Sequence, residues 1–148
     1  MRAAPEHLPS NLLMGAVLRN KGAYTQAEQH LRKFLESNPG HPYATKLLAS
    51  TLMNNGEIKQ ALALIEPLLD SQRQDAEMMS LAGELYLRQR QYTRSAEYFE
   101  RASQLAPQAT MVKAALAMSH LGMGESERAV ADLEQAAAQD ASSSRVGT

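Results

Sequence analysis

One interval constrains this chain more than any other feature. Gly22 and Gly56 lie 34 positions apart, as do Tyr24 and Ile58, and Ala27 and Ala61. Steps of 34 from Leu8 divide the sequence into 8–41, 42–75, 76–109 and 110–143 without an insertion. Position 8 of the unit then holds Gly15, Ala49, Gly83 and Ala117, and position 20 holds Ala27, Ala61, Ser95 and Ala129. Position 24 reads Leu31, Ile65, Phe99 and Leu133, and position 15 reads Gly22, Gly56, Arg90 and Gly124. Such a period marks one supersecondary unit, copied, whose apolar face is buried only when neighbours stack.

Each unit carries two helical patterns. Leu13, Met14, Val17 and Leu18 fall on one face of a first helix, which Gly22 ends. Tyr24, Ala27, Leu31 and Phe34 form the stripe of a second, which Pro39 stops; Pro107 stands in the same phase. Four units therefore give eight helices. Composition agrees: apolar residues make up 44%, aromatics only 5%, and Ala and Leu dominate. The small residues at positions 8 and 20 mark where paired helices approach most closely. Pro67 conflicts with the pattern and predicts a kink or an early end near Glu66, with Leu68 and Leu69 still buried.

The third unit, "SLAGELYLRQRQYTRSAEYFERASQLAP", resembles the tetratricopeptide repeat (TPR), with Gly83, Tyr86, Tyr92, Phe99, Ala102 and Pro107 at signature positions. The departures are Arg90 for the turn Gly, Ser95 for the close-contact Ala, and Arg73 and Ala141 for Pro. Asn11, Thr45, Met79 and Lys113 stand where Trp is frequent. The resemblance implies an all-α fold: a right-handed superhelix of antiparallel helix pairs, an α-solenoid, with first helices lining a concave groove. It implies a non-catalytic scaffold that binds a protein or peptide there. The groove candidates are Arg19, Asn20, Tyr43, Lys46, Ser50, Asn54, Glu84, Arg88, Met111, Met118 and Leu121. Met111, Met118 and Leu121 form a soft surface suited to a partner helix or strand, or else pack against a following repeat. Leu12 and Ala16 stand where the chaperone-tail clamp of some TPR proteins needs Lys and Asn, which argues against that ligand.

A narrower resemblance rests on "QAEQHLRKFLESNPGHPYATKLLASTL", "QALALIEPLL", "LAGELYL", "SAEYFERASQLAP" and "ERAVADLEQAAAQD". These strings, in this order, are similar to the large TPR lipoproteins associated with the PEP-CTERM/exosortase system. That resemblance implies further repeats on either side, export, a lipid anchor upstream, and a role in envelope or exopolysaccharide assembly. The location would be periplasmic or outer-membrane-anchored. A cytoplasmic adaptor, or a spacer that binds nothing, is the alternative. Pro5 has the phase of Pro39, so 1–7 reads as the tail of a preceding repeat, and 144–148 as a disordered end. The last helix, from Glu127 to about Asp140, is expected to expose Ala129, Leu133 and Ala136, and so to fray or to associate end to end.

Other chemistries find little support. His7, His30, His41 and His120 do not pair at a helical spacing for a metal, and Cys is absent, so no thiolate nucleophile exists. No cofactor motif appears: Gly122 and Gly124 form a lone GxG in the slot of an inter-helix turn. His120 reads as a packing residue. The net charge of −1 gives no long-range attraction to nucleic acid, and Arg88, Arg90, Arg94 and Arg101 are interleaved with Glu84, Glu97 and Glu100. The first unit carries four Lys/Arg against two Asp/Glu, and the last two against five. No apolar run reaches the ~20 residues that span a bilayer, so no direct membrane contact is expected.

Overall fold

The computed structural model describes residues 9–70 and 75–146, with side chains to 142. The tail read at 1–7 and the Arg73 departure lie outside the described residues. Among these there are eight α-helices and no strand. They are α1 (Ser10–Asn20), α2 (Tyr24–Ser37), α3 (Pro42–Asn54), α4 (Ile58–Leu69), α5 (Ala76–Arg88), α6 (Tyr92–Leu105), α7 (Thr110–Gly122) and α8 (Ser126–Val146). The chain divides into two compact units, Met1–Leu68 and Leu69–Thr148.

In the first unit α2 packs on both α1 and α3. Its core is built from Leu12, Ala27, Leu31, Phe34, Leu48, Leu52 and Ile65. In the second unit α6 packs on α5 and α7, and α8 on α7, around Met79, Leu85, Phe99, Leu116 and Ala129. Close approach at position 8 is real. A Cβ on Gly15 would lie 2.6 Å from Leu31 Cδ2, and one on Gly83 would lie 2.9 Å from the Phe99 ring. Ser95, in the slot that is Ala elsewhere, is fully buried, yet its hydroxyl donates to Gly83 O at 2.8 Å and meets Ser119 Oγ at 2.8 Å. A buried hydroxyl with both partners costs little.

The hairpin turns share one geometry. Gly22, Gly56 and Gly124 have φ of 83°, 83° and 81°. The amide after each reaches back across the helix end: Ala23 N to Leu18 O at 2.9 Å, Glu57 N to Leu52 O at 2.8 Å, and Glu125 N to His120 O at 2.8 Å. This is the left-handed C-terminal cap that satisfies the last carbonyls, and it suits Gly because no Cβ meets the carbonyl. Arg90 adopts it too, at φ 62°, with Gln91 N to Tyr86 O at 2.9 Å. The loss of Gly therefore leaves the turn intact and strains it. Arg90→Gly is expected to raise stability by about 1 kcal/mol, read as a higher midpoint in urea.

Four expectations need correction. Leu13, Met14 and Val17 are exposed, and α1 meets α2 through Leu12 and Gly15 instead. First helices carry two apolar faces, one for their own hairpin and one for a neighbour, and the period does not say which is which. The helix with Pro67 does not end near Glu66 but continues to Leu69; Leu69 is buried and Leu68 half-buried. Pro67 removes only the one hydrogen bond its own amide would give to the Ala63 carbonyl, and the burial of Ile65 and Leu69 holds the last turn in place. α8 does not stop near Asp140 but runs to Val146, into the segment read as a disordered end, since neither Gly nor Pro interrupts it before then. Ala129 and Ala136 are buried against the rest of the second unit, while Leu133 is half-exposed along with Val130.

Candidate functional site

In the first unit, Tyr43, Lys46, Ser50 and Asn54 follow one another along α3 at helical spacing, and Arg19 and Asn20 close α1. Tyr43, Asn20 and Asn54 are exposed; Arg19, Lys46 and Ser50 are half-buried. Ser50 Oγ donates to Leu47 O at 3.0 Å, which occupies its proton within the helix. The Nε of Arg19 is enclosed without a hydrogen-bond partner among the described residues. This stripe is polar and presents one large exposed ring, that of Tyr43.

The second unit is more apolar. Met111, Met118 and Leu121 on α7 are 83%, 57% and 55% exposed. α5 and α7 border an open cleft of about 370 Å³ whose lining includes Glu84, Leu87, Phe99, Met111 and Met118. Met111 and Met118 of α7 thus border the same cleft as Glu84 and Leu87 of α5. An adjoining cleft of about 350 Å³ is lined by Leu87, Arg88, Arg90, Tyr92, Met118, Leu121 and Gly122. A Cβ on Gly122 would collide with the Tyr92 ring, so only Gly lets that ring lie against the end of α7 as a cleft wall. Glu84 and Arg88 pair loosely at 3.5 Å, both about half exposed, so each remains open to a ligand.

Sequence reasoning placed Glu84, Leu87, Arg88, Met111, Met118 and Leu121 on this face and missed Arg90 and Tyr92. The signal for Arg90 was its presence in a Gly slot. The rest of the basic cluster is engaged elsewhere. The Arg94 guanidinium lies 5.5 Å from the Tyr86 ring centroid and that of Arg101 lies 5.1 Å from Tyr98. The two rings stack at 5.6 Å. Burial, then the neighbouring Tyr86, raises the Tyr98 pKa above the ordinary phenol value.

His120 is the other polar group that the sequence understated. It is 2% exposed, and its Nδ1 lies 2.5 Å from Asp132 Oδ2 across the α7–α8 hairpin. The Asp132 side chain is itself mostly covered. This closed pair lines none of the clefts described above. Among the described residues no group of three His, Asp or Glu side chains is placed to hold a metal, and no helix is long and apolar enough to cross a membrane.

Several solved structures share this arrangement of helices. A crystal structure of MamA superposes with a TM-score of 0.84 at 17% identity, covering 91% of this chain and 79% of that one. MamA from Desulfovibrio magneticus RS-1 gives 0.83 at 23% identity, over 89% of this chain and 75% of that one. TTC0263, a thermophilic TPR protein of Thermus thermophilus, gives 0.76 at 21% identity, over 88% and 73%. At such identities the likeness concerns the fold. No curated protein sequence matches. Tetratricopeptide-repeat family models match residues 18–85 and 76–108. Helix hairpins of 34-residue period, left-handed caps at each turn, close approach at positions 8 and 20 and these two matches together show that residues 18–108 of this chain are built of tetratricopeptide repeats.

Proposed function

We propose that this chain is a non-catalytic scaffold that holds a protein segment against the first helices of its repeats, above all on the α5–α7 face. One observation carries the reading: Met111, Met118 and Leu121 stand out from α7 beside open clefts that Leu87 and Phe99 help to line. Apolar side chains at a polar-rimmed cleft mark a binding surface. Methionine adapts its shape to a partner side chain at little cost. The partner is a short helix or strand with apolar side chains in register. Met111→Glu with Met118→Glu is expected to weaken its capture at least tenfold while leaving the melting temperature nearly unchanged, since both side chains are exposed. Capture unaffected by the pair of changes would favour a spacer role instead.

The reading extends to place. The resemblance of several sequence strings to exosortase-associated lipoproteins supports a role in bacterial envelope and exopolysaccharide assembly, as part of a longer, exported and lipid-anchored array. Fractionation of cells that make the product of the entire reading frame tests this. Recovery in the membrane or periplasmic fraction is expected, and recovery in the cytosol alone would refute it.

Self-association of this segment taken alone, without flanking repeats over α1 and α8, belongs to the same proposal. Met14 and Val17 of α1 correspond by the repeat to Leu48 and Thr51 of α3 and to Leu116 and Ser119 of α7, all of which are buried. Leu133 of α8 corresponds to Leu31 and Phe99, also buried. α1 and α8 thus expose the two halves of a contact made inside each unit between α2 and α3 and between α6 and α7. The first repeat carries excess positive charge and the last excess negative. Light scattering over a concentration series is expected to show growth by head-to-tail association, abolished by Val17→Asp; a mass independent of concentration would refute it.

A further inference from the structure

All the sulfur in this chain is thioether: it has eight methionines and no cysteine. No thiol takes up an oxidant first, so the methionine sulfurs are its most readily oxidised atoms. The fold sorts them sharply. Met53, Met78 and Met79 are in the core, at 6% exposure or less. Met111 and Met118 stand at 83% and 57% and are the two most exposed methionines among the described residues. They lie two helical turns apart on α7 and border the same cleft of about 370 Å³. Met14, the next most exposed, lies on α1 in the other compact unit.

We infer that Met111 and Met118 form a modification site: a peroxide converts both thioethers to sulfoxides, which releases the partner and leaves the repeats folded. The inference rests on the proposed function and adds its regulation. The sulfur lone pair attacks one peroxide oxygen, the O–O bond breaks and an S–O bond forms. The proton of the transferred oxygen passes to the departing hydroxide, which leaves as water. The sulfur is oxidised by two electrons and the peroxide is reduced by two. A dithiol reductase reverses the change, removing the oxygen as water and ending as a disulfide. A sulfoxide turns a flexible apolar side chain into a polar hydrogen-bond acceptor. In the free protein water satisfies that oxygen, and the core is untouched. Under a bound apolar segment, beside Leu87, Phe99 and Val112, the oxygen loses its water and finds no donor among those side chains, which costs binding. Two such oxygens in one cleft fall under one partner segment.

The test treats the full chain with dilute hydrogen peroxide. Peptide mass mapping is expected to find one added oxygen at Met111 and at Met118 before any at Met53, Met78 or Met79, with the melting temperature nearly unchanged. The treated protein is expected to bind a fluorescent, amidated amphipathic helix with leucines along one face roughly tenfold more weakly, and methionine sulfoxide reductases are expected to restore it. Met111→Leu with Met118→Leu keeps the face apolar and removes both sulfurs. That variant is expected to bind the helix as the parent does and to ignore peroxide. Core methionines oxidised as early as these two, or undiminished binding once both are sulfoxides, overturns the inference and leaves the binding face standing. An equal loss of binding in the double leucine variant overturns it as well. Failure of the untreated protein to bind the helix overturns the proposed function and the inference together.

Discussion

Ala61→Leu is expected to destabilise the fold by roughly 1–3 kcal/mol, read as a lower midpoint in chemical denaturation. Ala61 is wholly buried at position 20. The equivalent Ala27 shows how tight this place is: its carbonyl oxygen lies 3.5 Å from where a Cβ on Gly15 would stand. Leucine adds three carbon atoms to such a contact and gains nothing in helix propensity, so strain decides the sign. Gly83→Ala makes an instructive contrast. The added Cβ would press on the Phe99 ring at 2.9 Å, but replacing a mid-helix glycine recovers about 1 kcal/mol. The two terms are close in size, and the net effect should be much smaller than for Ala61→Leu. An Ala61→Leu variant as stable as the parent would mean that the helix register is wrong.

Asp132→Ala is expected to cost about 1–3 kcal/mol, because it leaves a buried imidazole nitrogen without its partner. Position 11 holds Leu18 and Leu52 in the first two repeats, so this slot accepts an aliphatic side chain. The pair of changes His120→Leu and Asp132→Ala should therefore recover most of the loss, since replacing both members of a buried polar pair is far cheaper than orphaning one. A double-mutant cycle in urea measures the coupling directly. Additive effects of the two changes would show that the 2.5 Å contact contributes nothing.

Much of the fold was legible because the period forces it. Gly22, Gly56 and Gly124 announce turns whose left-handed caps the structure displays, and Gly83 with Phe99 marks a close helix crossing. The misreadings share one cause: a helical stripe says that a face is apolar, not what covers it. Leu13, Met14 and Val17 fall on the apolar stripe of α1 yet are exposed, while the hairpin closes on Leu12 and Gly15. Ala129 and Ala136 looked exposed and are covered. The site was legible in part for the same reason. Met111, Met118 and Leu121 follow from repeat position alone, whereas the Tyr92 wall depends on Gly122, far along the chain, yielding room for its ring. The His120–Asp132 pair spans a hairpin, and its hint was a polar residue in an apolar slot.

The central functional claim is that the α5–α7 face touches the partner and the outer face of α6 does not. Site-specific photocrosslinking tests this directly, with the crosslinker placed in turn at Met118 and at the exposed Glu97, in cells that make the entire reading frame. Mass mapping of the adducts is predicted to return one recurring partner peptide from position 118 and none from position 97. The same adducts from both positions, or none from position 118, would contradict the account.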